Sequence, residues 1–280
     1  MATRGRIELR GSTVLVTGGS AGIGLAVARR LARAGGNLVL AARRPEPLES
    51  AAASLRASGV KAIAVPTDVA RLEALEALVD RAIREFGAID VLVNNAGVEA
   101  FCPYEELPLD RIADTIAINL TSALLLTRLV IPHMLKAGRG HVVNMASTAG
   151  KFGPAFGAAY GTTKAGLINF TQALRAEYHG RGVSASAICP GFTQQGGIYD
   201  RMRERSGRRS PFFVGSTTVD RVAEAVVRAI ERDKAELIVN WPPQRPLSAF
   251  VALFPTLGGA LVRSASVRFL RRVAQTSSRE

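Results

Sequence analysis

The sequence predicts an α/β fold, a doubly wound parallel sheet flanked by helices on both faces, and two observations carry this prediction. Strand-like and helix-like segments alternate from residue 12 to about residue 240, and alternation at that spacing means right-handed crossovers between parallel strands. The strand segments are short, continuous apolar or β-branched runs, as strands covered on both faces require.

The first strand, TVLVTG, is followed by a helix over 22–34 that the glycines of ARAGG end. NLVLAA precedes a helix over 45–58, and KAIAVPTD one over 70–86. DVLVNNAG leads to a long helix over 110–136, and GHVVNMAS to another over 155–180. After VSASAICPG comes a loop, then a helix over 218–232 that Thr218 or Asp220 caps, and ELIVN closes the alternation. Ligands of such sheets bind at the carboxyl ends of the strands. The unusual residues collect there: glycines after strand one, Asp68 after strand three, NNAG after strand four, Ser147 after strand five and PG after strand six.

Bulk composition narrows the function. The 280 residues are 48% hydrophobic, ample for a buried core. Cys102 and Cys189 have no metal-ligand spacing, so a reduced, cytoplasmic setting without disulfides is expected. The N-terminal MATRGRIELRG lacks the apolar run of a signal peptide. The apolar stretch 116–135 contains Asn119, Arg128 and Pro132, which reads as a buried amphipathic helix and not a membrane span. A formal charge of +13 invites a nucleic-acid reading, but the basic residues fall in local groups, at 201–209 and after 262, with no aromatic interleaving or zinc spacing. An anionic surface or anionic cofactor suits them better.

VTGGSAGIG runs from strand one straight into a helix, with Gly18, Gly22 and Gly24 in a G-x-x-x-G-x-G spacing. Positions without side chains let the backbone approach a pyrophosphate, and the helix directs its amides and dipole at the charge. Strand two ends LVLAARR. Ala41 and Ala42 supply no carboxylate for ribose hydroxyls, while Arg43 and Arg44 match a 2′-phosphate, so NADP(H) is favoured over NAD(H). Ser20 adds a hydroxyl beside them.

Tyr160 lies four residues before Lys164, so on a helix the two share a face. Together, TGGSAGIG, NNAG at 94–97, Asn119, Ser147, YGTTK at 160–164 and PG at 190–191 make the chain resemble the short-chain dehydrogenase/reductase family over about residues 8–240. The resemblance implies a Rossmann-type catalytic domain, here 1–245, with a non-independent extension at 246–280. It implies that Tyr160 is the general acid in carbonyl reduction and the base in alcohol oxidation. An ordinary tyrosine, with a pKa near 10, is a poor base at neutral pH, and Lys164 favours its phenolate and holds the nicotinamide ribose. Ser147 bonds the substrate oxygen, and Asn119 positions a water in the proton relay. For the cofactor it implies Gly18, Ile23 and the rest of the glycine loop, Asp68 and Val69 at the adenine, Asn94, Asn95, Ala96 and Gly97 along the adenine ribose, and Pro190 and Gly191 near the nicotinamide. A structural reading of Asn94 and Asn95, pinning a strand end, stays open.

Two positions depart from the family pattern. The threonine usual four residues past Gly191 is Gln195, leaving Thr193 or a backbone amide to take its role, and the residue before Ser147 is Ala146. No metal is implied.

The segment 192–216, carrying Phe192, Ile198, Tyr199, Met202, Phe212 and Phe213 among arginines, suits a lid with an apolar lining. In the tail, Phe250, Leu253, Phe254 and Leu257 fall at helical spacing ahead of Arg263, Arg268, Arg271 and Arg272. Two readings fit: contact with an anionic membrane surface, or a helical cap on the pocket or on a second subunit. The sequence therefore points to an NADP(H)-dependent oxidoreductase for a carbonyl or alcohol on a hydrophobic, lipid-like substrate, acting as a homodimer or homotetramer. A soluble 3-oxoacyl-thioester reductase and a non-enzymatic NADP sensor or scaffold are the alternatives.

Overall fold

A computed structural model describes residues 7–196, 198–207 and 215–277. Seven parallel strands form one sheet: β1 (Thr13–Thr17), β2 (Asn37–Ala42), β3 (Ala62–Pro66), β4 (Val91–Asn94), β5 (Gly140–Met145), β6 (Val183–Pro190) and, after a separate pair β7 (Thr193–Gln194) and β8 (Thr217–Thr218), β9 (Glu236–Val239). Their spatial order is β3-β2-β1-β4-β5-β6-β9. The chain thus winds outward from β1 through β3, returns to the other side of β1 with β4, and winds outward again. This is the Rossmann-type arrangement, and its crevice opens where the winding reverses.

The helices between the strands are α1 (Gly22–Arg33), α2 (Pro45–Arg56), α3 (Leu72–Phe86), α4 (Leu109–Ile116), α5 (Ser122–Ala137), α6 (Ala158–Glu177), α7 (Ile198–Ser206) and α8 (Val219–Glu231). After β9 come α9 (Arg245–Leu253) and α10 (Pro255–Ser277). All of β1 is buried, and its residues feed two cores in alternation. Val14 and Val16 join Leu38, Leu40, Val93 and Ile188 beneath α1, α2 and α8, which contribute Val27, Leu31, Leu48, Val222 and Ile230. Leu15 faces the opposite way with Val39, Leu92 and Val142, beneath Leu75, Leu78, Leu126, Val130 and Leu174 from α3, α5 and α6. Each fully buried leucine contributes about 2 kcal/mol.

Thr218 caps α8, its Oγ1 accepting from the Arg221 amide at 3.3 Å, while Asp220 lies inside the first turn. Helix α1 ends at Ala34 with Gly35 at a φ of 87°. The long helix expected over 110–136 is α4 and α5 joined by a π turn at Ala117–Thr121. Leu109–Ala137 is apolar and long enough to span a bilayer. It packs nonetheless as a core helix, with Leu126, Val130, Ile131 and Met134 buried against the sheet and α3.

The register sets the site. Thr17 pairs with Ala41, Asn94 with Asn144, Met145 with Ile188 and Pro190 with Val239. The segments that follow these strands therefore emerge along one edge of the sheet.

Candidate active site

Along that edge, a cavity of about 310 Å³ is lined by Gly18, Gly22, Ile23, Gly24, Asn95, Ala96, Gly97, Ser147, Tyr160, Lys164, Pro190, Gly191 and Thr193. Residues far apart in sequence thus meet in one wall. Thr17 anchors the glycine loop: its Oγ1 accepts from the amides of Asn95 and Ala96 at 2.9 and 3.0 Å, and Asn95 Nδ2 donates to Thr17 O at 2.9 Å. Gly24 is required by close approach, since a Cβ there would meet Gly18 O at 2.1 Å and Asn95 Nδ2 at 2.6 Å. No side chain caps α1 and its first turn is free of acid, so its leading amides face the cavity without a protein partner of that kind. That is a fit for a pyrophosphate.

The Gly19 amide donates to Ala41 O at 3.2 Å, which ties the end of β2 to the glycine loop. Arg43 and Arg44, both exposed, follow at once, and Arg44 precedes the first residue of α2. Ser20 is half-buried in the loop. These three flank the cavity and do not line it. Across from Arg43, the Thr67 amide donates to Ala42 O, setting Asp68 at the same edge, where its Oδ1 accepts from the Ala70 amide at 3.1 Å. Val69 is a core residue packed with Leu75 and Leu78.

Asn94 takes the strand-pinning alternative with its side chain. It is buried, donating to Thr127 Oγ1 at 3.0 Å and Asn144 Oδ1 at 2.9 Å, and it pins β4 to β5 and α5. Asn119, in the π turn, spends its side chain on the peptide group of Val98. Its Oδ1 accepts from Val98 N at 2.7 Å, and its Nδ2 donates to Val98 O at 2.9 Å and Thr163 Oγ1 at 3.3 Å. Its amide therefore holds the 97–98 segment against α6 and leaves only the main chain for a water.

Ser147 opens a short turn, Thr148–Gly150, that packs on α6, and its Oγ accepts from the Ala149 amide at 3.1 Å. Its Oγ also donates to Pro190 O at 3.4 Å, and the hydroxyl stands beside the Tyr160 phenol. Lys164 is buried, donates from Nζ to Met145 O at 2.8 Å, and stands 5.7 Å from the Tyr160 ring centroid. Burial pushes the phenol up to about 12, with the Ser147 hydrogen bond opposing and the Glu99 charge adding to the rise. Burial pulls the Lys164 ammonium down to about 8, against a partial offset from Cys189. The phenol is protonated at neutral pH.

Sequence reasoning missed most of the roof. Phe101, Tyr199, Met202, Phe269, Leu270 and Val273 form an apolar cluster against Phe156, Tyr160 and Phe192. Phe101 packs 5.6 Å from Tyr160 between centroids, and Phe269 meets Phe192 edge-on at 5.5 Å. The tail's cap reading thus describes the second half of α10, whose apolar spacing at 269, 270 and 273 was the available signal. Of the lid residues, Tyr199 and Met202 are in α7, whereas Phe212 and Phe213 lie outside the described residues. Thr193 is buried and lines the cavity, its Oγ1 donating to Gly191 O at 3.1 Å, while Gln195 is exposed at a φ of 72°. Among the described residues no cluster of His, Cys, Asp and Glu could hold a metal.

Comparison with known proteins agrees with this geometry. The chain is similar to the ketoacyl reductase HetN of Nostoc sp., 42% identical over 235 residues, covering 84% of this chain and 80% of that protein. Among solved structures it resembles an actinorhodin polyketide ketoreductase with NADPH, at a TM-score of 0.77, 33% identity and coverage of 82% and 95%. It equally resembles an NAD+-bound xylitol dehydrogenase, at a TM-score of 0.77, 31% identity and coverage of 84% and 99%. The model of the short chain dehydrogenase family matches residues 12–205, so the chain belongs to that family and is an oxidoreductase.

Proposed function

We propose that the protein reduces a ketone on an apolar, acyl-type chain with NADPH. The observation that carries this reading is the meeting of Ser147, Tyr160 and Lys164 on the floor of a cavity whose roof is apolar. NADPH supplies the hydride when bound. The glycine loop and the α1 amides suit its pyrophosphate, and Arg43 and Arg44, with no carboxylate at the end of β2, suit the 2′-phosphate. Lys164 and Thr193 border the space left for the nicotinamide end.

Ser147 donates to the ketone oxygen and orients it toward Tyr160, which delivers its proton as negative charge develops there. A phenol held near 12 keeps its proton throughout the neutral range, the form in which it acts as a general acid. Asn119 acts as a positioning residue, fixing the backbone at 97–98 behind Lys164. The ketoacyl names of its relatives and the wall of Phe101, Tyr199, Met202 and Leu270 together support a chain-bearing substrate. Exposed Leu109, Ile116 and Leu124 on the α4–α5 helix support a homo-oligomer, and the basic tail supports peripheral contact with a membrane.

The test is NADPH consumption with a series of 3-oxoacyl thioesters and plain ketones of increasing chain length. We expect kcat/KM to rise with chain length and to be higher for NADPH than for NADH. Preference for NADH, or for small polyols over apolar ketones, would sink the reading.

A further inference from the structure

We propose that the hairpin of α9 and α10 inserts its tip into an anionic lipid surface and that apolar ketone enters the cavity from the bilayer beneath this same hairpin. The inference deepens the functional reading above and rests on its apolar substrate. The tip gathers four exposed large apolar side chains within nine residues of sequence. Leu253 is 73% exposed, Leu257 65%, Phe254 51% and Leu261 50%, and such a contiguous patch on a protein surface marks an interaction site. The tip is also firmly built. Phe250 and Phe254 pack at 5.3 Å between ring centroids, and α10 lies so close on α9 that a Cβ at Gly258 would meet Val251 Cα at 2.6 Å.

Charge identifies the occupant. Residues 241–277 contain five arginines and no Asp, Glu or Lys, and Arg245, Arg263 and Arg271 are exposed on the same hairpin. A second copy seated on this tip would bring arginines against arginines. An acidic carrier protein would satisfy the arginines but leaves the large exposed side chains of the tip unexplained. An anionic bilayer satisfies both, with headgroups on the guanidiniums and the leucines in the acyl boundary. The route inward is short: Leu261 is exposed at the tip, whereas its neighbour Val262 and, further along the helix, Leu270 line the cavity. One helix therefore touches bilayer and substrate space.

Flotation of the full chain with vesicles of phosphatidylglycerol and phosphatidylcholine tests this, beside vesicles of phosphatidylcholine alone. Leu253→Glu combined with Leu257→Glu alters exposed positions outside the cavity. We expect the native chain to float with the anionic vesicles and not the neutral ones. The double variant should lose at least about tenfold in partitioning. Its turnover of a short water-soluble ketone should stay within twofold, while turnover of a long-chain ketone dissolved in the vesicles falls at least fivefold. Equal flotation of variant and native chain would overturn the docking. So would light scattering that showed the variant splitting a native oligomer that never bound vesicles, or capture by an acyl carrier protein in place of vesicles. Flotation as expected, with no ketone of any length reduced, would overturn the entry route and locate the failure in the functional reading.

Discussion

The floor and the roof of the cavity are built by different physics. The floor rests on the β-ladder: Ser147 follows β5, Tyr160 and Lys164 share one face of α6, and Thr17 and Asn95 lock the glycine loop through paired hydrogen bonds. The roof is built mainly of apolar side chains, Phe192 and Phe269 edge-to-face with Tyr199, Met202 and Leu270 around them. Hydrogen-bonded backbone fixes the reacting groups, which tolerate little displacement. Apolar contact fixes only a shape, which is free to differ with the substrate. The contrast assigns chemistry to the floor and selectivity to the roof, and each half can be broken separately.

The largest effect is expected on the floor. Tyr160→Phe should lower kcat about a thousandfold, roughly 4 kcal/mol, for short and long ketones alike, with NADPH binding by fluorescence titration unchanged. For the native enzyme, the reduction rate should stay flat between pH 6 and 7, where the phenol, held up to about 12, keeps its proton and the Lys164 ammonium, lowered to about 8, keeps its charge, and should fall as the pH passes 8.

The sheet beneath the floor should be sensitive to acid. His141 on β5 is fully buried, with Nε2 2.8 Å from Ser186 Oγ, and burial lowers its pKa from 6.5 to about 4. The unfolded chain therefore binds the extra proton between those values. Stability from this group is complete above pH 6.5 and falls as the pH drops through that window, by roughly 3 kcal/mol in all. Urea unfolding at pH 7 and pH 4.5 reads the loss, and His141→Gln should flatten it.

At the edge of the floor, Arg43→Ala should weaken NADPH about tenfold and leave NADH unchanged in equilibrium binding. The smallest effect is expected in the roof. Phe269→Ala should raise KM for a long-chain ketone about fivefold while leaving kcat for a short one within twofold. A kcat loss shared by both substrates would mean that the roof also positions the reacting groups, and would erase the division.

The outline of the sheet, the glycine loop and the Ser147–Tyr160–Lys164 set were legible in the sequence because each is encoded locally. Apolar runs mark the strands, glycine marks close approach, and a four-residue interval marks one helix face. The side-chain directions of Asn94 and Val69 were not legible, for the complementary reason. An asparagine or valine at a strand's end looks the same whether it faces the ligand edge or, as here, the core.

By itself the sequence determined the α/β order, the residue types at the carboxyl edge and the lack of a carboxylate at the end of β2, where Ala41 and Ala42 stand. Only the tertiary structure decided that Asn119 spends its amide on Val98, that burial raises the phenol of Tyr160 while lowering the ammonium of Lys164, and that α10 roofs the cavity with Leu270, with Phe269 packed on Phe192 behind it, while leaving Leu257 and Leu261 in the open. Those facts depend on which distant segments meet. Desolvation and contact between residues a hundred positions apart have no local signature in the chain.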